Sequence, residues 1–550
     1  MCINGGVAIF CGTKNTAINV CKRVTEIVEN GYSIKNIQDV LDNEELLAIS
    51  KLCEQNLGTE SVEAKSAKFG VLAHHNNIPH GIRLAVEYAM REYKIRIVVC
   101  TSTLAQGVNL PIRYLIVRNL YQGRNIIRVR DFHNLIGRAG RAGKYIEGSI
   151  LFAESKIYDN KNNKRENRLW KETQSLLDIN KTESCDSSLL DIFKPIENEQ
   201  RNKFITFDEG IESFEGIIDA FIKDQIKDLA INISENLANN GFDFETVYGQ
   251  LFYKCQLLES LENFLLAHWE DLNENTENWV SELANQTLAF YLADDEKKKQ
   301  IIKTFQLLSN NIAQNIHELK RKKIFGKTLY GIKTAVKIEI WVNNNQQNLM
   351  KIIDIEEFIE MTWELFCEII ESNTNKSLFT KFDQLDIRKN IIVAWLSGKS
   401  FAELLILLNE RNVCKIYGRQ KRKFTVEDMV DVCENTFAFE GSLFVGAIIE
   451  FLDSLNDFDL LVKEQFQIFQ KRFKYGLPNV SSINVYELGF SDRYLSQEIA
   501  SSLNNQNLNK GEILHMINNP DISHLIEILP MPSYYKHKFQ TLQGKNSDTF

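Results

Sequence analysis

Short, almost wholly apolar runs alternate along the first 150 residues with stretches whose apolar positions recur every three or four residues. Val7-Ala8-Ile9-Phe10 is a strand run, closed by Cys11-Gly12-Thr13. A helix is predicted from Lys14, striped by Ile18, Cys21, Val24 and Val28 and capped at Asn30-Gly31. Ser33 to Lys68 reads as a polar, partly helical insertion. Phe69 to Ala73 is a second strand run, and Ile82, Ala85, Val86, Ala89 and Tyr93 stripe the next helix. Ile95–Cys100, Tyr114–Val117 and Ile150–Phe152 give three more strands, with a small hairpin at Leu120–Val129 turning at Gln122-Gly123. Strands that alternate with helices require a parallel sheet with helices on both faces. Ligands of such sheets bind in the loops at the carboxyl ends of the strands, and the chemistry-bearing stretches below are expected there.

The pattern changes beyond Lys156. Tyr158 to Asn202 is polar and reads as linker and irregular structure. From Phe204 onward the periodicity is helical: one stripe runs from Phe214 to Leu237 and ends at Asn240-Gly241, and another runs from Phe444 to Phe473. Val336 to Ile340 alternates apolar and charged residues and reads as a lone strand. The last dozen residues look frayed. These patterns divide the chain into an α/β domain (1–156), a linker (157–203), a helical accessory region (204–375), a helical domain (376–478), and a helical hairpin with its tail (479–550).

Composition adds exclusions. The 550 residues are 44% hydrophobic and 25% charged, ordinary for a globular chain and too apolar for wholesale disorder. No run of about 18 apolar residues suggests a membrane span, and Met1 to Gly6 lacks the basic start of a secretory signal. The ten cysteines are scattered with no Cys-x-x-Cys pair. That is the pattern of reduced thiols, so a cytoplasmic location and no metal site are expected.

The net charge of −9 hides an asymmetry. Through Lys156 there are 20 Lys and Arg against 14 Asp and Glu; beyond it, 44 against 59. Between Arg83 and Lys144 twelve basic residues, mostly arginine, face only Glu87, Glu92 and Asp131. An arginine-rich module on an acidic chain suits a phosphate-bearing ligand, since guanidinium forks match phosphate oxygens.

Three stretches carry candidate chemistry. Cys11-Gly12-Thr13-Lys14 joins a strand to a helix amino terminus, a place that favours anions, although an ordinary βα turn reads the same way. Thr101 to Pro111 follows the third strand and offers hydroxyls at Thr101, Ser102 and Thr103, a tight turn at Gly107, and Asn109 for a sugar hydroxyl. A helix cap explains one of those hydroxyls but not three. Asp131 to Gly143 sets Arg138 and Arg141 three apart on what reads as one helical face, among three glycines. An arginine pair so placed suits a polyphosphate.

In order, these stretches resemble motifs IV, V and VI of superfamily 2 helicases, in particular the superkiller-like DExH-box branch. Thr101 to Pro111 is similar to that branch's Thr-x-Thr-Leu-Ala-x-Gly-Val-Asn-Leu-Pro, and Gly137 to Arg141 to its Gly-Arg-Ala-Gly-Arg. Leu72 to Pro79 is similar to its His-His-Ala-Gly-Leu-Pro segment, with Asn77 in place of glycine, which suits a left-handed backbone. The resemblance covers about Gly5 to Ala153 and implies a second RecA-like motor domain. It implies that Arg141 is the arginine finger and Arg138 a second γ-phosphate ligand. Gly107, Asn109 and Asn134 would line the nucleotide, Asn134 standing where the family has glutamine. Thr13, Lys14, His75, Thr101 and Thr103 would hold a DNA or RNA strand, although His75 reads equally well as a packed structural residue. Ile392 to Ser400 and Phe473 to Pro478 are similar to parts of the family's helical accessory region.

The family's ATP, with Mg²⁺, sits between two RecA-like domains. No phosphate loop or Asp-Glu-x-His motif occurs in this sequence: Gly326-Lys327-Thr328 has Arg321 where a loop's first glycine belongs, and Gly398-Lys399-Ser400 has Val393. The magnesium ligands are therefore expected on a first RecA-like domain, lost in cis or supplied in trans. The expectation is a helicase fragment or split subunit that hydrolyses ATP negligibly alone, or a non-catalytic nucleic-acid-binding subunit that kept the motor fold.

Overall fold

The computed structural model describes residues 1–2, 4–32, 41–102, 110–123, 125–140, 145, 147–198, 203–205, 214–237, 241–269, 276–373, 377–455 and 459–544. Its centre of organisation near the amino terminus is a parallel sheet of β1 (Gly6–Phe10), β2 (Val71–His74), β3 (Ile97–Cys100), β4 (Ile112–Val117) and β7 (Ser149–Phe152), in the order β2-β3-β1-β4-β7. The strands are level: Phe10 pairs with Cys100 on one side and Val117 on the other, and Cys100 with His74. β1, β2 and β3 are buried almost throughout, so their sequences read as nearly continuous apolar runs. The short hairpin β5 (Tyr121–Gln122) and β6 (Asn125–Ile126) follows β4, as its glycine turn predicts.

Helix α1 (Lys14–Glu29) starts where Thr13 accepts the Thr16 N–H, and ends where Gly31 takes a φ of +86°. The insertion after it is more regular than its polarity suggests, holding α2 (Asn43–Leu57) and α3 (Val62–Lys68). Helix α4 (His80–Arg91) links β2 to β3. The path β1→β2 and the return β2→β3 cross the sheet in opposite directions, so right-handed connections put helices on both faces. Helix α5 (Val129–Ile136) lacks a capping side chain of its own; Glu183 accepts from its Val129 and Arg130 N–H groups at 2.8 and 3.0 Å. The stretch read as irregular after Tyr158 carries α6 (Arg168–Leu177), whose Glu172 accepts from the Tyr121 hydroxyl at 2.7 Å.

The chain forms two compact units. The first joins residues 1–183 to 377–439 and 471–550. Here the carboxyl-terminal helices seat on the insertion and on α4: Asn56 donates to Asp492 at 2.9 Å, Tyr535 to the Gly81 carbonyl at 2.9 Å, and the Ser533 N–H to Glu45 at 2.9 Å. A Cβ on Gly81 would come 2.5 Å from that of Asp492, so only glycine admits the approach. Arg493 lies 3.7 Å from the centre of the Trp395 ring and donates to the Gly476 carbonyl at 2.7 Å. The end of the chain is therefore not frayed as far as Leu542, since Ser533–Leu542 is a helix with Tyr535 and Phe539 buried; 545–550 lie outside the described residues.

The second unit comprises Ser184–Lys376 and Glu440–Gln470 and is mainly helical. Three expectations are corrected here. Val336–Ile340 is not a strand but part of a helix, Ile332–Leu349: Ile332, Ala335, Ile338 and Val342 are among its buried positions, and the apparent alternation came from Ile340, which is exposed. The Phe214–Leu237 stripe is two helices, Phe214–Ile222 and Ile226–Leu237, separated by Asp224 at φ +62°. The Phe444–Phe473 stripe is likewise two, Ser442–Asp453 and Leu460–Tyr475. Gly326, the glycine of the first false phosphate loop, lies within a helix, where a Cβ would meet the Ala267 backbone at 2.8 Å.

Among the described residues, one helical stretch, Val426–Asp453, is long and apolar enough by composition to cross a bilayer, although charged residues interrupt it and it holds no continuous apolar run of that length. More than half of its most apolar window is buried inside the protein, as in the core helix of a globular chain. All ten cysteines are free thiols.

Candidate nucleotide and nucleic-acid interface

At the carboxyl edge of the sheet, the ends of β1, β2 and β3 bring Thr13, Lys14, His75 and Thr101 together. The Cys11 N–H donates to the Cys100 carbonyl at 2.7 Å and the Thr101 N–H to the His74 carbonyl at 3.3 Å, which locks the three loops side by side. Gly12 is required: a Cβ there would lie 1.6 Å from the Tyr121 carbonyl oxygen, so the β1 loop can pass beneath the β5–β6 hairpin only without a side chain. The Thr13 hydroxyl is held by the helix it caps, 2.9 Å from that of Thr16. Lys14 is partly exposed, and Thr101 is 8% exposed.

His75 is fully buried, and neither ring nitrogen has a hydrogen-bond partner among the described residues. Burial pushes it down to about 4, and the charges of His74, Lys14 and Arg83 push the same way. The ring is therefore neutral at physiological pH and offers no surface to a strand. Asn77 does not adopt the left-handed backbone expected of a glycine replacement; it is buried and donates to the Glu427 carbonyl at 3.3 Å. That bond closes the β2 loop against the segment beginning at Val426. The same segment brings acids to this edge. Asp431 is raised by burial against the pull of Lys14, and Glu434 is raised to about 7 by burial against Arg83 and Arg493. No local pattern reveals these acids in the sequence, because some 350 residues separate them from the motifs they face.

Arg138 lies elsewhere. Helix α5 ends at Ile136 with Gly137 as its cap, so Arg138 is not on a helical face but in the turn that follows, its N–H on the Leu135 carbonyl at 3.1 Å. Ala139 then bridges Ile112 in parallel, and the Gly140 N–H donates to the Ile112 carbonyl at 2.9 Å. Ile112 opens β4, so this turn sits at the amino edge of the sheet. From Val117 back to Ile112 is five residues, roughly 16 Å across the sheet from the Thr13–Thr101 cluster. The expectation that all three stretches gather at the carboxyl edge is corrected accordingly. The glycines have a geometric cause: Gly140 has φ +74°, and Cβ atoms on Gly140 and Gly148 would each come 2.5 Å from the other strand's backbone. Two backbones pass in van der Waals contact here, leaving little side-chain bulk beside Arg138.

Asn134 is exposed on α5, opposite buried Phe132 and Leu135. Thr103, Gly107, Asn109 and Arg141 lie outside the described residues. Among the described residues, no group of three or more His, Cys, Asp or Glu is placed to hold a metal.

Residues 33–143 match the helicase conserved C-terminal domain. Over 520 residues the chain is 23% identical to the Hachiman protein HamB of Bacillus cereus, covering 92% of this chain and 42% of that protein. Shorter matches fall on the helicase POLQ-like protein of Drosophila melanogaster (34% identical, 27% of this chain and 14% of that one) and the ATP-dependent DNA helicase Hel308 of Methanococcus vannielii (33%, 28% and 20%). The chain thus spans less than half the length of these curated relatives. With the parallel sheet, these matches make the α/β module similar to the helicase conserved C-terminal domain over residues 33–143.

Proposed function

We propose that this chain is the carboxyl-terminal part of an ATP-dependent DNA helicase or translocase of the superkiller-like branch. Its α/β module is one wall of an ATP site whose phosphate loop and magnesium ligands belong to a first RecA-like domain, joined in cis or supplied in trans. Arg141 acts as arginine finger and Arg138 as a second phosphate ligand, while Asn134, with Gly107 and Asn109, borders the nucleotide. Bound ATP supplies the free energy; the chain's own part is to place guanidinium charge where the terminal phosphate carries negative charge. Lys14, Thr13, Thr101 and Thr103 hold the strand backbone, and buried His75 supports that loop from beneath. DNA is favoured over RNA because relatives of this module carry DNA helicase in their names.

The observation that supports this reading is that Thr13, Lys14 and Thr101 meet at the carboxyl edge of the sheet while the Arg138 turn lies at its amino edge. A strand grip at the carboxyl edge and an arginine turn at the amino edge are what a motor needs to couple strand movement to nucleotide turnover. The test is reconstitution with a first RecA-like domain. DNA-stimulated ATP hydrolysis is expected to appear in the mixture and to fall about 10³-fold in Arg141→Ala. If turnover is the same in Arg141→Ala while strand binding persists, the chain is instead a non-catalytic binding subunit. That second reading draws on the absence of a phosphate loop from these 550 residues.

A further inference from the structure

A second basic feature stands outside the helicase module. Residues 411–423 contain Arg411, Lys415, Arg419, Lys421, Arg422 and Lys423 and no acidic residue, in a part of the chain that is otherwise acidic. They form an antiparallel hairpin, Cys414–Tyr417 paired with Gln420–Lys423, closed by the two-residue turn Gly418-Arg419. Gly418 has φ +57°, which fits a hairpin turn that needs glycine at its first central position.

An isolated hairpin of this size is marginally stable, but this one is pinned at its base. The Asp383 carboxylate accepts the Cys414 N–H at 2.8 Å, and the Asp383 N–H donates back to the Cys414 carbonyl at 2.9 Å. Lys415 is buried in an ion pair with Asp428, Phe382 bridges Lys415, and the Phe382 and Phe424 rings pack 4.5 Å apart. Everything from Ile416 to Lys423 is exposed.

The cations divide by role. Lys415 and Lys421 are committed to Asp428 and Asp383. Arg419 at the tip and Lys423 at the base have no acidic partner among the described residues, and Arg422 is held over Tyr417 with a hydrogen bond to Gln420 at 2.9 Å. Lys381 lies 4.6 Å from the centre of the same tyrosine ring. Charge is thus displayed on a rigid ribbon and not neutralised within the fold.

We infer that the Cys414–Lys423 hairpin grips the phosphate backbone of duplex DNA, a nucleic-acid contact separate from the strand-binding edge of the sheet. The inference rests on the reading of this chain as a nucleic-acid motor. A two-stranded ribbon fits a duplex groove, and side chains alternating along it sit about 7 Å apart on each face, within reach of successive phosphates. Single-strand binders rely on stacked aromatic platforms, whereas here the one aromatic ring is already covered by two cations. An anionic membrane is less well served: Ile416 and Tyr417 are adjacent in the strand and point to opposite faces, so no apolar face forms for insertion.

The experiment uses the 550-residue chain and a triple variant, Arg419→Ala with Arg422→Ala and Lys423→Ala, all at exposed positions. Affinities for a short labelled duplex and for a labelled single strand are measured across a salt series. The slope of log affinity against log salt is expected to fall by about 0.9 for each phosphate the variant no longer engages, roughly 2.7 in all, for duplex only. The corresponding Arg→Lys changes at 419 and 422 should keep the wild-type slope. A wild-type duplex slope in the triple variant, with single-strand binding intact, overturns the inference and leaves the motor reading standing. Loss of binding to phosphatidylserine vesicles with duplex binding unchanged overturns it in favour of a membrane. If the wild-type chain binds neither duplex nor single strand, the motor reading falls with it.

Discussion

Glu63 and His75 show how far a buried ionisable residue can be driven, and they act in opposite directions. Both carboxylate oxygens of Glu63 are buried without a hydrogen-bond partner among the described residues. Burial raises its carboxyl to about 7, its own backbone N–H opposing and the charge of Glu427 adding to the rise. Unfolded, a glutamate titrates near ~4.3. Between those values the folded protein holds a proton that the unfolded chain has released, so stability falls as pH rises from roughly 4.3 to 7 and then levels off. His75, pushed down to about 4, lacks a proton that the unfolded chain takes up below ~6.5, so its contribution is lost as pH falls through that window. Glu63→Gln removes the first effect and leaves the second. Urea midpoints are expected to match wild type near pH 4 and to exceed it at pH 8 by on the order of 3 kcal/mol of stability. An equal difference at both pH values would show that Glu63 is ionised throughout.

At the scale of elements, the turn after α5 is where the sequence reading misplaced Arg138. Glycines at 137, 140 and 143 looked like costly interruptions of a helix, and the arginines between them like neighbours on one face. The helix in fact stops at Ile136, and the close pass of Gly140 against Gly148 sets the path of the turn. Gly148→Ala is expected to destabilise the protein by roughly 2 kcal/mol, because its Cβ would strike the Ala139 carbonyl carbon at 2.5 Å and backbone, not a flexible side chain, must move. Thermal unfolding measures this, and a wild-type melting temperature would show that the two backbones can separate freely. The strands, by contrast, were legible to within two residues at their ends, because a largely buried parallel strand reads as a short apolar run. The alternation at Val336–Ile340 misled because five residues are too few to distinguish a period of two from one of 3.6, and a longer window recovers the helix.

At the scale of the molecule, the sequence carried the module but not what closes around it. The motif order from Thr13 to Gly140 was readable because each motif is local. The unit that joins residues 377–439 and 471–550 to the sheet was not, because its decisive contacts pair Asn56 with Asp492, Gly81 with Tyr535, and Asn77 with Glu427. These contacts tie the insertion and the start of α4 to the carboxyl-terminal helices, and the β2 loop to the segment beginning at Val426. Of the two readings open for His75 in the sequence, strand contact or packed structural residue, its full burial favours the second.

If the two edges of one sheet divide the work, strand at one and nucleotide at the other, then single substitutions at each edge should fail in different ways. Lys14→Ala and Arg138→Ala are compared in the chain reconstituted with a first RecA-like domain, reading single-strand affinity and strand-stimulated ATP turnover for each. Lys14→Ala should weaken strand binding, lower the salt slope by about 0.9 and leave turnover at saturating strand unchanged. Arg138→Ala should cut turnover by about 10² while strand affinity stays at the wild-type value. If Arg138→Ala turns over at the wild-type rate, or if both variants lose only strand affinity, the two edges do not divide the work and the motor reading of this sheet is wrong.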